Sequence, residues 1–380
     1  IQGGAGTSAN MNANEVIANR AIEILGGRKG DYRIVHPNDD VNLCQSTNDV
    51  FPTAGKMTVL QLLPELIAEL EKLELALADK AEAFAGVIKM GRTQMQDAVP
   101  TTLGRTFQAY QSFVKRDIRH LMSAAEEMKS LNLGGTAIGN AINATPEYLE
   151  NITAFVSAEV GIAFTQAEDL FDATQHVDGF VRVSAAIKTA AVNLSKMSND
   201  LRLLSSGPRA GIGEINLPAK QNGSSIMPGK VNPVIPEVVS QVAFRVIGND
   251  LTITMAAESG QLELNAFEPI IFHSLFESID CLAHAVATLT VNCIQGIQAN
   301  EMACYKQVEE SAGIATALCP TIGYQKASAI AKESLKTGKT VRELVLEKGL
   351  FSIEETDSIL DLKRMAGIPA ELVLLAGKAV

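Results

Sequence analysis

Aromatic residues make up only 5% of this 380-residue chain, no block of Lys or Arg occurs in it, and acidic residues outnumber basic ones 43 to 32. Base stacking and phosphate binding need what is scarce here, so no nucleic-acid partner is expected. The five cysteines, at 44, 281, 293, 304 and 319, are odd in number and never spaced C-x-x-C. That excludes a disulfide framework and a zinc knot and fits a reduced, cytoplasmic protein. Long apolar runs are missing as well. The longest uncharged stretch, Cys281 to Asn300, carries His284, Thr288, Thr290, Asn292, Gln295 and Gln298, which are costly in hydrocarbon and ordinary inside a helix bundle, so no membrane span is expected. The chain opens Ile1-Gln2-Gly3-Gly4 without initiator Met, charged n-region or apolar h-region, so no targeting peptide is read and a start within a domain is expected. Gly and Pro, 29 and 13 in number, stand at ordinary levels, and the hydrophobic share is 47%. This describes a globular protein with a sizeable core.

Apolar residues recur every three or four positions through Leu63, Leu66, Ile67, Leu70, Leu73 and Leu77, with Glu65, Glu69, Glu71 and Lys72 between them. The same period runs from Leu103 to Met128, from Val181 to Leu204 and from Val234 to Ile247. These segments are too long for strands, and neither an Asn-Gly or Asp-Gly hairpin nor a strand–helix alternation is evident. The expected fold is all-α. Residues 1–339 are expected to form the helical bundle. The break at Lys336-Thr337-Gly338-Lys339-Thr340, followed by the capping box Ser352-Ile353-Glu354-Glu355, sets off 340–380 as a small C-terminal helical domain.

Between the helices lie joints rich in Gly, Ser, Thr and Asn, where chemistry is usually placed. The strongest reads Gly223-Ser224-Ser225-Ile226-Met227-Pro228-Gly229-Lys230-Val231-Asn232-Pro233. It fails as a P-loop, because five residues separate Gly223 from Gly229 and Val231 stands where a magnesium-binding hydroxyl belongs. What remains is a flexible anion-binding loop or an ordinary Ω-loop. Three further joints carry hydroxyls and amides: Gly6-Thr7-Ser8 with Asn10 and Asn12, Gln45-Ser46-Thr47-Asn48-Asp49, and Gly91-Arg92-Thr93-Gln94. Neutral donors near a helix start suit a carboxylate or an oxyanion, and they equally suit N-caps. The five histidines (36, 120, 176, 273, 284) form no H-E-x-x-H or H-x-x-x-H pair, so core or surface roles are expected and no metal site.

Gly223–Pro233 resembles the signature of the aspartase/fumarase superfamily. Gly3–Asn19, Val35–Asn42 and Ser205–Gly211 resemble that family too, in order over nearly the whole chain. The resemblance implies a long central helical bundle, a homotetramer with active sites built from three subunits, and an N-terminal domain missing ahead of the first segment. Asn42–Asp49, Lys89–Gln94, Asp200–Leu204 and Thr254–Leu262 are more similar to the aspartate ammonia-lyase branch than to fumarases, which usually read S-S-N-D and R-T-H at the second and third joints. The implied reaction is reversible deamination of L-aspartate to fumarate and ammonia. Fumarase and a non-catalytic structural relative are the alternatives.

By position, the resemblance implies Ser224 as the general base, with its oxyanion held by backbone N–H groups and Lys230. Thr7, Ser46, Thr47 and Ser225 would bind the β-carboxylate, Thr93, Lys230 and Asn232 the α-carboxylate, and Asn48 with Thr7 the ammonium. Gln94 stands where fumarases, and some aspartases, have a histidine, a ring that in fumarases is oriented by an acid corresponding to Glu237. An amine leaves as neutral ammonia whereas hydroxide needs an acid, so Gln94 favours deamination. No cofactor is implied. Gly134–Ala141 departs from the family pattern at Asn140 and Ala141.

Overall fold

The computed structural model describes residues 2–368. The part of the expected C-terminal domain from 369 to 380 lies outside the described residues. Helix dominates. In chain order the helices are α1 (Thr7–Ile24), α2 (Thr47–Ala83), α3 (Leu103–Ala125), α4 (Pro146–Val160), α5 (Leu170–Gln175), α6 (Asp178–Leu204), α7 (Val234–Glu258), α8 (Glu268–Asn292), α9 (Glu301–Glu309), α10 (Cys319–Ile322), α11 (Tyr324–Thr337), α12 (Val341–Glu347), α13 (Ile353–Ile359) and α14 (Leu362–Met365). Strands β1 (Ile88–Thr93) and β2 (Gln96–Thr102) form an antiparallel hairpin. Two-residue strands pair β3 (Ser130–Leu131) with β4 (Thr165–Gln166) and β5 (Ile215–Asn216) with β6 (Gln298–Ala299).

The residues group into two compact units. One holds residues up to Glu71 with 115–195 and 239–286, the other 72–114, 196–238 and the described residues from Ala287 onward. In the first, the helical period becomes a core: Val59, Leu63, Leu66 and Leu70 of α2, Phe180, Val183 and Ile187 of α6, and Ile271, Leu275 and Ile279 of α8 are buried. Each such side chain contributes roughly 1.5–3 kcal/mol on leaving water. The Phe272 ring lies 5.1 Å from Phe51 and 5.0 Å from Phe180, knitting α8 to α2 and α6. The stretch Glu268–Gly296 is long and apolar enough to cross a membrane by length and composition, but 56% of its most apolar window is buried in the fold, as in a core helix.

In the second unit the Phe107 ring packs edge-on against Phe84 and Tyr110. A further core joins Ile88 and Met90 of β1 to Val308, Ile314, Leu318, Val341, Leu344, Val345 and Leu360. The capping box at Ser352 and Glu355 forms as expected and opens α13. Thr340 and Glu343 form another at the start of α12.

Helix α2 begins at the Ser46 joint, well before the first periodic leucine, and runs through Pro52 and Pro64. Proline removes an N–H and leaves the carbonyl four residues back without its helical partner. For Pro52 that carbonyl belongs to Asn48, and the Asn132 side-chain amide takes it at 2.9 Å. The hairpin was not expected. Its two-residue turn is Gln94-Met95, both with positive φ (52° and 64°), and neither residue type announces such a turn.

Candidate active site

In the first unit, Gly6 sets the start of α1. Its φ is 92°, and a Cβ there would stand 2.5 Å from the Phe51 ring of α2, so only glycine lets Thr7 begin the helix this close. One turn on, the Asn10 amide donates to Thr47 Oγ1 at 3.1 Å, and the Asn10 and Asn14 amides both reach Asn42 Oδ1, at 3.2 and 2.9 Å. These bonds tie the first joint to the second. Thr47 accepts from Asn10, so its own hydroxyl proton is left to donate elsewhere.

Ser46 caps α2. Its Oγ accepts the Asn48 N–H at 3.2 Å, while Asp49 Oδ1 accepts the Ser46 N–H at 3.0 Å, a reciprocal capping arrangement. Asp49 is fully buried, and its second oxygen accepts the N–H groups of Gly134 (3.2 Å) and Thr136 (2.9 Å). Burial pushes this carboxyl above the usual carboxylate range, against the opposing pull of those N–H donors. The same loop supplies the Ala137 carbonyl, which accepts from Asn48 Nδ2 at 2.8 Å. The Asn48 amide is thereby oriented, with Oδ1 left as an acceptor.

In the second unit, the Gly223–Pro233 segment is a loop with a tight neck. A Cβ on Gly223 would fall 1.8 Å from the Lys230 carbonyl oxygen, and Asn232 Nδ2 donates to the Gly223 carbonyl at 2.8 Å. Within the loop, Ser224 Oγ accepts two backbone N–H groups, from Ile226 at 3.1 Å and Met227 at 2.9 Å. Among the described residues no hydrogen bond links Ser224 to Lys230. Lys230, Asn232 and Glu237, with Arg202 and Ile215–Leu217, line a cavity of about 510 Å³. Thr93 and Gln94 stand exposed at the tip of the β1–β2 hairpin, so Thr93 caps no helix.

The candidate residues therefore form two sets: Thr7, Ser46, Thr47 and Asn48 in the first unit, and Thr93, Gln94, Ser224, Ser225, Lys230 and Asn232 in the second. Sequence reasoning passed over Asn132, and it took Asp49 only as the end of a motif. A proline four residues after a candidate binding residue was the available signal for an outside donor. His36 is itself a cap, its Nδ1 accepting the N–H groups of Asn38 (3.2 Å) and Asp39 (3.1 Å). Among the described residues, no three His, Cys, Asp or Glu side chains are grouped to hold a metal.

Known proteins resemble this chain closely. The family profile described as Lyase matches residues 1–248, and the one described as Fumarase C C-terminus matches residues 314–367. The aspartate ammonia-lyase of Helicobacter pylori is 54% identical over 365 residues, 96% of this chain and 78% of that protein. That of Bacillus subtilis is 50% identical over 361 residues, 95% of this chain and 76% of that protein. Among solved structures, a fumarate lyase:delta crystallin from Brucella melitensis bound to cobalt is 52% identical with TM-score 0.93, covering 96% of this chain and 79% of that one. A class II fumarase from Schistosoma mansoni reaches the same TM-score at 35% identity, covering 96% and 80%. With half its residues shared with curated ammonia-lyases and about a third with a fumarase of the same fold, the chain belongs to the aspartate ammonia-lyases of the aspartase/fumarase superfamily, a family of carbon–nitrogen lyases.

Proposed function

We propose that Ser224 is the general base of this lyase and that the two sets of polar residues described above bind its substrate. The reaction is the reversible deamination of L-aspartate to fumarate and ammonia. It begins with removal of a weakly acidic Cβ proton, and the resulting aci-carboxylate carries two negative charges on one group. Stabilising that charge must dominate the catalysis.

The observation that carries this reading is the pair of N–H groups, of Ile226 and Met227, converging on Ser224 Oγ. A serine hydroxyl is far too weak an acid to act as a base unaided. Donors already aimed at its oxygen stabilise the alkoxide without reorganisation, and the Lys230 ammonium on the same loop adds positive charge. After proton transfer, hydroxyl donors from Thr7, Ser46, Thr47 and Ser225 hold the β-carboxylate in its aci form. Thr93, Lys230 and the second Asn232 amide proton hold the α-carboxylate. Asn48 Oδ1, with Thr7, accepts from the substrate ammonium, which departs as ammonia. Gln94 supplies no ring acid, in keeping with an amine leaving group.

A homotetramer with active sites shared by three subunits fits two features. Thr7, Thr93, Gln94, Ser225 and Lys230 among the candidate residues are exposed, and α7 leaves Phe244, Leu251 and Met255 about 60% exposed along one stripe. Five free cysteines suit a cytoplasmic setting. Residues 1–339 carry every candidate site residue, and the C-terminal domain assigned to 340–380 carries none.

The test is fumarate absorbance with aspartate and malate supplied in parallel and ammonia assayed independently. Fumarate and ammonia rising together from aspartate alone is the expected result. Fumarate from malate alone identifies a fumarase, and silence on both points to another amine substrate or to a non-catalytic relative.

A further inference from the structure

We propose that Glu214 is a positioning residue for substrate binding: acting through Arg92, its buried carboxylate sets where Thr93 and Gln94 stand. This rests on the assignment of those two residues to the substrate. The Gln94-Met95 turn puts two ordinary residues in the left-handed region, which their side chains do not favour, so the turn must be held from outside itself. Behind the Thr93–Gln96 pair that closes it, Arg92 and Asp97 are register partners, and both are anchored beyond the hairpin. Arg92 donates through one terminal nitrogen to Glu214 Oε1 and through the other to Gln307 Oε1, each at 2.6 Å. Asp97 accepts the Ser311 hydroxyl at 2.7 Å.

Glu214 is completely buried, and Lys89 Nζ lies 3.1 Å from its Oε2 while donating to the Met90 carbonyl. Positions 89 and 92 would face opposite sides of a regular strand. The register shift between Met90 and Arg92 sets two residues of β2, Ala98 and Val99, opposite Gly91 alone, and across this bulge both cations reach one carboxylate. Glu214 is in turn held from its backbone: the Asn300 N–H reaches the Glu214 carbonyl at 2.8 Å, the Asn300 amide reaches Gly213 at 3.0 Å, and Gln307 Nε2 reaches Ile212 at 2.6 Å. The next residues, Ile215–Leu217, line the cavity that Lys230 and Asn232 share. A buried charge with this many fixed partners is a rigid reference point from which the hairpin tip is hung.

The experiment is a double-mutant cycle in the intact enzyme, with Glu214→Gln and Thr93→Ala alone and together, reading KM and kcat for aspartate. Glu214→Gln is expected to raise KM about tenfold with kcat changed less than about threefold, and to add clearly less in the Thr93→Ala background, where only Gln94 remains to be displaced. Glu214→Asp should recover part of the loss. If Glu214→Gln, which leaves the buried Lys89 and the half-buried Arg92 facing a neutral amide, does not fold, Arg92→Lys takes its place in the cycle, since it keeps the charge and loses the fork. An unchanged KM in a folded variant, or effects of Glu214 and Thr93 that simply multiply, overturns the positioning role. An unchanged KM in Thr93→Ala alone instead overturns the assignment of Thr93 on which the role rests.

Discussion

The carbonyl oxygen of Lys230 occupies the space that a side chain on Gly223 would need, 1.8 Å from where its Cβ would stand. The two arms of the Ser224 loop meet at that point, and Asn232 locks them with its bond to the Gly223 carbonyl. Gly223→Ala must therefore open the neck and displace Ser224, Lys230 and Asn232 together. The loop is exposed and contributes nothing to the apolar core, so the unfolding midpoint should hardly move, while kcat/KM for aspartate falls by about a hundredfold or more. A variant with near-normal turnover would separate the loop's shape from its chemistry.

Ser224→Ala removes the oxygen on which the Ile226 and Met227 N–H groups converge and should abolish turnover with the fold and assembly intact. Asn48→Ala, in the other set of residues, should be similarly inactive. If active sites are shared among subunits, mixing and reassembling the two inactive proteins must regenerate some sites with both residues present. Fumarate formation returning only in the mixture, to at most about a quarter of the normal rate, is the expected result. Persistent inactivity in confirmed hybrid assemblies would place both residues of each site in one chain.

The long helices and the Gly223–Pro233 loop were legible because periodicity and motif are local. What surrounds the motifs was not. Asp49 finds its donors at Gly134 and Thr136, some 85 positions away, and no spacing rule reaches that far. The cap at the start of α2 was legible in Ser46-Thr47-Asn48, but the donor that repairs the disruption at Pro52, Asn132, lies some 84 positions away in the chain. The β1–β2 hairpin went unseen because Gln94-Met95 lacks any turn chemistry, while the partner of Arg92 behind it is a buried carboxylate, Glu214, contributed from elsewhere in its unit. Ser224 as base came from resemblance, whereas the donors that make it chemically reasonable lie two and three residues on, in a turn visible only in three dimensions.

The departure at Ala141 has a structural consequence. Its φ is 55°, and its N–H donates to the Gly135 carbonyl at 3.1 Å inside the loop that Asp49 grips. A left-handed alanine costs about 1–2 kcal/mol, more than the backbone freedom that glycine restores to the unfolded chain. Ala141→Gly should stabilise the protein by roughly 0.5–1 kcal/mol, read as a higher denaturant midpoint at unchanged slope. A lower midpoint would mean that the methyl group makes packing contacts worth more than the strain.

Glu268, at the start of α8 in the first unit, is 97% removed from solvent, and burial raises its carboxyl pKa to about 8 even with Lys56 nearby pulling it down. Its folded-state value thus lies above the ordinary 4.5, and between those two values the native state binds a proton that the unfolded chain has lost. Stability from this group is complete at pH 4.5 and below and is lost as pH rises towards 8, the reverse of an ion-paired carboxylate. Lys56, whose own pKa is lowered by burial, acts oppositely at higher pH, because the native state sheds its proton first. Glu268→Gln mimics the protonated form, so its unfolding free energy should decline less steeply than the parent's between pH 5 and pH 8, with the two proteins closest at the acid end. Parallel denaturation curves across that range would show that Glu268 is ionised in the native protein and that Lys56 compensates it in full.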